Sequence, residues 1–208
     1  MRIVVATRNR GKVAELDRLL GGVGGVGGVE LVSLDALVEV PEVVEDGATF
    51  AENAAKKARE YAAATELPTI ADDSGLEVDA LGGAPGVSSA RYAGDDATDA
   101  ANNAKLLRAL ADVPDAARTA RFRCVLAFAD PAGALGADVH LEDGAVEGAI
   151  LHAPRGAGGF GYDPLFLPHG GTLTTAELPP DVKDQLSHRG QAARKLRAFL
   201  AGYLAARG

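Results

Sequence analysis

Cysteine, tryptophan, basic charge and long apolar runs are what this 208-residue sequence has least of. Its single cysteine, Cys124, excludes a disulfide framework within the chain. The residue sits in an apolar segment, Arg123-Cys124-Val125-Leu126-Ala127-Phe128, which reads as a buried strand rather than as the setting of a nucleophile. No run approaches the roughly 20 apolar residues that span a bilayer. The strand-like Ile3-Val4-Val5-Ala6 is too short for a signal peptide, so a cytoplasmic protein with no membrane partner is expected. Basic charge is outweighed: 29 acidic against 21 basic residues leave a net charge of −8. That argues against nucleic acid as a partner. It leaves room for a small nucleotide, which needs only a few local cations. His140, His152 and His169 show no metal-ligand spacing, and no G-x-S-x-G signature is present.

What is there is ordinary in bulk. Hydrophobic content of 47% and charged content of 24% suit a globular protein able to bury a core without staples. Strand-like Ile3–Ala6 leads through a loop into a helix from about Lys12, with Val13, Leu16, Leu19 and Leu20 on one face. The Gly-Gly-Val repeat over 21–29 reads as a flexible connector. Leu31–Leu34 is a candidate strand. Thr49-Phe50-Ala51-Glu52 is a capping box that opens an Ala-rich helix to about Ala64. A strand at Thr69–Ala71 precedes two aspartates. Thr98 caps a helix to about Leu110. Two or three strands fall within Thr119–Ala129, Gly136–Leu141 and Ala145–Leu151, followed by a short one at Leu165–Leu167. A last helix covers about Gly190–Ala205. Alternation of helix and strand, followed by clustered strands, predicts an α/β fold. The expected form is one domain over 1–208, with a long mixed central sheet and two lobes with a cleft between them.

Asp72-Asp73-Ser74-Gly75-Leu76 is the most informative stretch. Adjacent strand side chains point to opposite faces, so at most one aspartate is expected to face the core. The other could hold a cation or activate water at a strand's carboxyl end. An acidic solvated turn is the competing reading. Thr7-Arg8-Asn9-Arg10-Gly11-Lys12 joins a strand to a helix, where amides and Lys12 can bind phosphate. It fails the P-loop pattern, since Val13 stands at the position of the metal-binding hydroxyl. Glu45-Asp46 precedes the capped helix, in which Glu52 and Lys56 share a face, as do Asn53 and Lys57. These residues offer either a solvated ion pair or a second carboxylate plus a phosphate-binding lysine. Gly158-Gly159-Phe160-Gly161-Tyr162-Asp163-Pro164 sets glycines around two aromatics, in a chain with only 5% aromatic residues. Such a loop can approach a planar ligand and stack on it. Ser187-His188-Arg189, with Lys183 upstream, reads as a helix cap or as a cluster of donors for carbonyl or phosphate oxygens.

Taken in order, these segments resemble the inosine triphosphate pyrophosphatase family. The resemblance runs through Ala6–Lys12, Thr49–Ala58, Ala71–Leu76, Leu81–Val87, Ser89–Tyr92, Gly158–Pro164 and Ser187–Gly190, which is nearly the whole chain. It implies an elongated α/β protein with a deep cleft that assembles as a homodimer. The implied reaction is Mg²⁺-dependent hydrolysis of ITP, dITP and XTP to the monophosphate and pyrophosphate, which cleanses the nucleotide pool. It implies metal binding by Asp73 and Glu45, with Asp46 as the alternative to Glu45. Asp73 is the expected base and Asp72 the second candidate. The implied substrate contacts are Thr7, Arg8, Asn9, Arg10, Gly11, Lys12, Lys56, Ser74, Phe160, Gly161, Tyr162, Asp163, Lys183, His188 and Arg189. Among them, Lys12, Lys56 and Lys183 would hold phosphates, Phe160 would stack on the base, and His188 and Arg189 would donate to the C6 oxygen. Arg8 departs from the Gly that is frequent there in bacterial members. A pyrophosphatase for other modified nucleotides, or a sensor that binds without turnover, are the alternatives.

Overall fold

A computed structural model describes residues 1–21, 29–37 and 40–206. Most of the Gly-Gly-Val repeat, expected to be a connector, lies outside the described residues. Strand β1 (Arg2–Val5) buries Ile3, Val4 and Val5. Helix α1 (Arg10–Leu20) follows. It begins ahead of Lys12 because the Asn9 side chain accepts a hydrogen bond from the Lys12 amide and serves as N-cap. Strand β2 (Glu30–Ser33) pairs with β1 in parallel. Helix α2 (Phe50–Thr65) carries the expected capping box in full, with Thr49 and Glu52 reciprocally bonded.

Strand β3 (Thr69–Val78) also runs parallel to β1. The strand does not stop at the aspartates, as the sequence suggested. It continues through Ser74-Gly75-Leu76, because both Asp72 and Asp73 find buried partners on their respective faces. Helix α3 (Asp99–Ala109) starts at the expected Thr98 cap. Strand β4 (Thr119–Ala129) has the expected bounds. Strand β5 (Val139–Ile150) spans both later segments as one strand, the smaller of the two numbers expected, since the chain stays extended through Gly144. Strand β6 (Phe166–Pro168) is antiparallel to β5. A short helix α4 (Pro180–Leu186), initiated by Pro180, precedes α5 (His188–Ala205). The six strands form one mixed sheet in the order β2-β1-β3-β4-β5-β6. No described helix is long and apolar enough to cross a membrane.

The chain divides into two compact units, to both of which β3, β4 and β5 contribute. The first comprises Met1–Asp73, Cys124–Gly144 and Arg189–Gly208. Its core joins Ile3, Val5, Leu16, Leu20, Ile70, Leu126 and Phe128 to Ala192, Ala193, Leu196 and Leu200 of α5. The second comprises Ser74–Arg123 and Ala145–His188. Its core is built on Leu76, Val78, Leu106, Leu110, Phe122, Ile150, Leu165 and Phe166. Within this second unit Arg118 is 2% exposed and donates to the carbonyls of Leu110, Ile150 and Leu151. That fixes the C-terminal end of α3 to the end of β5.

Candidate active site

Two adjacent positions of β3 organise the first unit. Strand alternation sends the two carboxylates to opposite faces. Asp72 is enclosed: one oxygen meets Lys12 Nζ, and the other accepts from Arg189 Nε at 2.8 Å and from the Cys124 thiol at 3.3 Å. Arg189 also bonds the buried Glu15 of α1. Burial alone would raise Asp72, but Arg189 and Lys12 hold its carboxyl well below the usual range. The same Asp72 charge, together with burial, pushes the Cys124 thiol up. Cys124 is therefore an inert strand residue, as its apolar setting suggested.

Asp73 faces a different set. Lys57 Nζ lies 3.2 Å from Asp73 Oδ1, 3.1 Å from Glu45 Oε1 and 2.8 Å from the Asp72 carbonyl. Burial, opposed by Lys57 and Lys12 and aided by Glu45, pushes Asp73 up to about 6. Burial also acts on Glu45, but Lys57 and the hydrogen bond with Asp73 bring it below its ordinary value. Burial opposes the charge of Lys57, whereas Asp73 and Glu45 favour it and leave it raised. Two carboxyl groups thus meet at one lysine, and Asp73 Oδ2 is buried without receiving a hydrogen bond. Either a shared proton or a cation relieves the repulsion between such groups. Two hard oxygen donors, one of them undonated, fit Mg²⁺, which binds through one or two carboxylates and keeps several waters. Among the described residues no group of three or more His, Cys, Asp or Glu gathers as a metal site.

Glu45 is placed by α2. The Gly47 amide donates to Asn53 Oδ1 at 2.8 Å, while Glu52 accepts from the amides of Ala48 and Thr49. A Cβ at Gly47 would come within 2.7 Å of Asn53 Oδ1, so the loop can approach the helix only with glycine there. Sequence reasoning put a phosphate-binding role on Lys56. Its ammonium instead pairs with the exposed Asp46 at 2.6 Å, and its neighbour Lys57 meets the carboxylates. The signal for Lys57 was present. Phe50, Ala54, Lys57 and Tyr61 fall at helical spacing on the buried stripe of α2, and Asn53 adjoins it.

The loop before α1 keeps the expected strand-to-helix geometry. Thr7 Oγ1 accepts from the Asn9 amide, and Arg8 donates to the Val40 carbonyl at 3.0 Å. Arg10 is exposed, and Gly11 and Lys12 are half-buried in the first turn. Ser74, half-buried, follows Asp73 on β3.

The remaining expected residues lie in the second unit. Asp163 Oδ2 accepts from the Phe160 amide at 2.9 Å and from Lys183 Nζ at 2.6 Å. The Lys183 ammonium also lies 5.0 Å from the centre of the Phe160 ring. His188 stacks on Phe122 with ring centres 4.8 Å apart, and these rings line a pocket with Asp163, Lys183 and Ser187. Tyr162 does not offer a stacking face: it is 4% exposed, in the core, and its hydroxyl donates to the Ser89 carbonyl. Gly161 is open, at φ +62°. Arg189, expected to donate to the base, is 2% exposed and its guanidinium binds Asp72 and Glu15, because carboxylates of β3 and α1 flank it in the first unit.

A model of the Ham1 family matches residues 3–199. A protein of Geobacter sulfurreducens named dITP/XTP pyrophosphatase is 51% identical over 199 residues, covering 96% of each chain. The solved HAM1 protein of Coxiella burnetii is 42% identical with a TM-score of 0.84, covering 97% of this chain and 99% of its own. A solved nucleoside-triphosphatase, also titled dITP/XTP pyrophosphatase, from Mycobacterium abscessus is 50% identical with a TM-score of 0.74. It covers 94% of this chain and 97% of its own.

Proposed function

The chain belongs to the Ham1 family, and from that premise we propose that it hydrolyses dITP, ITP and XTP to the monophosphate and pyrophosphate. The observation that carries the reading is the meeting of Asp73 and Glu45 at Lys57, with a buried carboxylate oxygen left undonated. Relatives of near-equal length named for this activity support it.

Asp73 and Glu45 would hold Mg²⁺. When bound, the metal offsets triphosphate charge and stabilises the leaving pyrophosphate. Asp73 accepts the proton of the attacking water, because burial raises its carboxyl to about 6, close to neutral pH. Asp72, clamped by Lys12 and Arg189, instead fixes the phosphate loop to β3. Lys57 keeps the two carboxylates together. Lys12 and the amides of Thr7–Lys12 bind phosphate oxygens at the start of α1. In the second unit Phe160 stacks on the base, Lys183 and Asp163 hold that ring's loop, and His188 donates to the C6 oxygen of the purine. An adenine amino group would face donors instead, which costs a few kcal/mol when buried. The protein acts as a homodimer in the cytoplasm.

The decisive assay incubates the purified protein with Mg²⁺ and either dITP or XTP, beside dATP and dGTP. Monophosphate and pyrophosphate from the deaminated purines alone are expected. Orthophosphate with a diphosphate would refute attack at the α-phosphorus, and binding without turnover would favour a sensor.

The two neighbouring lysines of α2 separate cleanly. Lys57→Met should lower kcat about 100-fold or more, since it leaves the buried Asp73 and the half-buried Glu45 without their cation. Lys56→Met should change kcat less than about twofold, because it removes only an exposed pair. Equal effects of the two in steady-state assays would refute the assignment.

A further inference from the structure

We propose that Asp99 and Asn103 of α3 are positioning residues that hold the Phe160 loop ready to receive the purine. The proposal rests on the base-binding role given to Phe160 above. Asp99 and Asn103 are four residues apart, so they lie on one face of α3. They grip the same residue from two sides. The Gly161 amide donates to Asp99 Oδ2 at 2.6 Å, and Asn103 Nδ2 donates to the Gly161 carbonyl at 2.9 Å.

Gly161 needs this grip. Its φ of +62° is left-handed, and a Cβ there would meet nothing within 4 Å, so no side-chain packing holds that side of the residue. The residue is free to leave that conformation unless its peptide groups are bonded. The other end of the loop is already fixed. Asp163 accepts from the Phe160 amide, and Ala176 accepts from the Gly158 amide at 3.1 Å. At Gly159 a Cβ would fall 2.1 Å from Asp163 Oδ2, so the chain passes too close to that carboxylate to shift inward. The Phe160 ring is therefore set between an inner anchor, Asp163 with Lys183, and an outer one, Asp99 with Asn103. Asp99 and Asn103 line the open groove that Phe160 and Gly161 border, and neither needs to touch the nucleotide. They act by reducing the disorder that Phe160 would lose on stacking.

The test uses Asp99→Ala, Asn103→Ala and Asp99→Asn in the full chain. Hydrogen exchange of the 158–163 amides, without nucleotide, reads the loop directly. Both alanine variants should exchange faster there and raise KM for dITP by about 3- to 10-fold, with kcat within about twofold, as expected for lost ground-state and transition-state binding alike. Asp99→Asn keeps an acceptor oxygen and should restore both properties. Unchanged exchange and KM in the alanine variants would overturn the proposal. So would an Asp99→Asn variant as impaired as Asp99→Ala, or a KM rise matched by lowered melting temperature in all three. If the wild type turns over no dITP yet Asp99→Ala loosens the loop, the functional reading fails and the clasp stands. If the wild type is active and KM does not move, the reverse holds.

Discussion

Asp73→Asn should lower kcat for dITP by about 10²- to 10⁴-fold, the usual weight of a positioned general base. Asparagine has nearly the same shape and can still accept from Lys57 through its amide oxygen, so the strand and the lysine contact persist. What disappears is the oxygen that accepts a proton and offers a negative charge to a cation. The same change at Asp72 works through a different cause. Both Asp72 oxygens are engaged by Lys12 and Arg189, so Asp72→Asn leaves those two cations facing an amide. Its loss should show as weaker folding and weaker phosphate binding more than as lost proton transfer. Steady-state kinetics, with nucleotide binding by calorimetry, separates the cases. Asp73→Asn retaining kcat within threefold of the wild type would place the base elsewhere.

Arg118→Met should destabilise the protein by about 3–5 kcal/mol, although its guanidinium bonds carbonyls rather than carboxylates. Its guanidinium satisfies three carbonyls: Leu110 at the end of α3, Ile150 at the end of β5, and Leu151 just beyond it. Methionine fills similar volume but donates nothing. The Ile150 and Leu151 carbonyls would then lose their guanidinium donors, while Leu110 would keep the Val113 amide. Arg118→Lys should recover part of the loss, since an ammonium can reach one or two of these oxygens but not all in the fixed fork of arginine. Urea denaturation reads the difference as a shift of midpoint at constant slope. An unfolding free energy within about 0.5 kcal/mol of the wild type would mean that water replaces the guanidinium at that junction.

Elements whose cause is local were legible in the sequence. The Thr49 capping box and the Thr98 cap mark their helices because the bonding partners lie within three residues. The apolar face of α5 showed through Ala193, Leu196 and Leu200, which all lie in the first unit's core. Elements whose cause is distant were not legible. β3 runs on past Asp73 only because Lys12, Arg189 and Lys57, from three other segments, neutralise its carboxylates. The buried stripe of α2 could have pointed to Lys57, which meets Asp73 and Glu45, whereas Lys56 pairs with the exposed Asp46. Arg118 had no linear signature, since an arginine ahead of a strand looks like ordinary surface charge until the ends of α3 and β5 close over it. The loop of Gly158–Pro164 stood out by its glycines and aromatics, yet only the structure separates Phe160, beside Lys183, from Tyr162, which is enclosed in the core.

The ion pair of Arg189 with Glu15 joins residues 174 positions apart. The first unit's core likewise needs α5 to complete what β1 and α1 begin. During synthesis, then, the loop before α1 emerges early but has no finished scaffold until the segment carrying Arg189 has also left the ribosome. At about 5–20 residues per second, that interval is on the order of ten to thirty seconds. For that time Ile3 and Val5 of β1 lack the cover that Ala192, Ala193, Leu196 and Leu200 give them in the finished core.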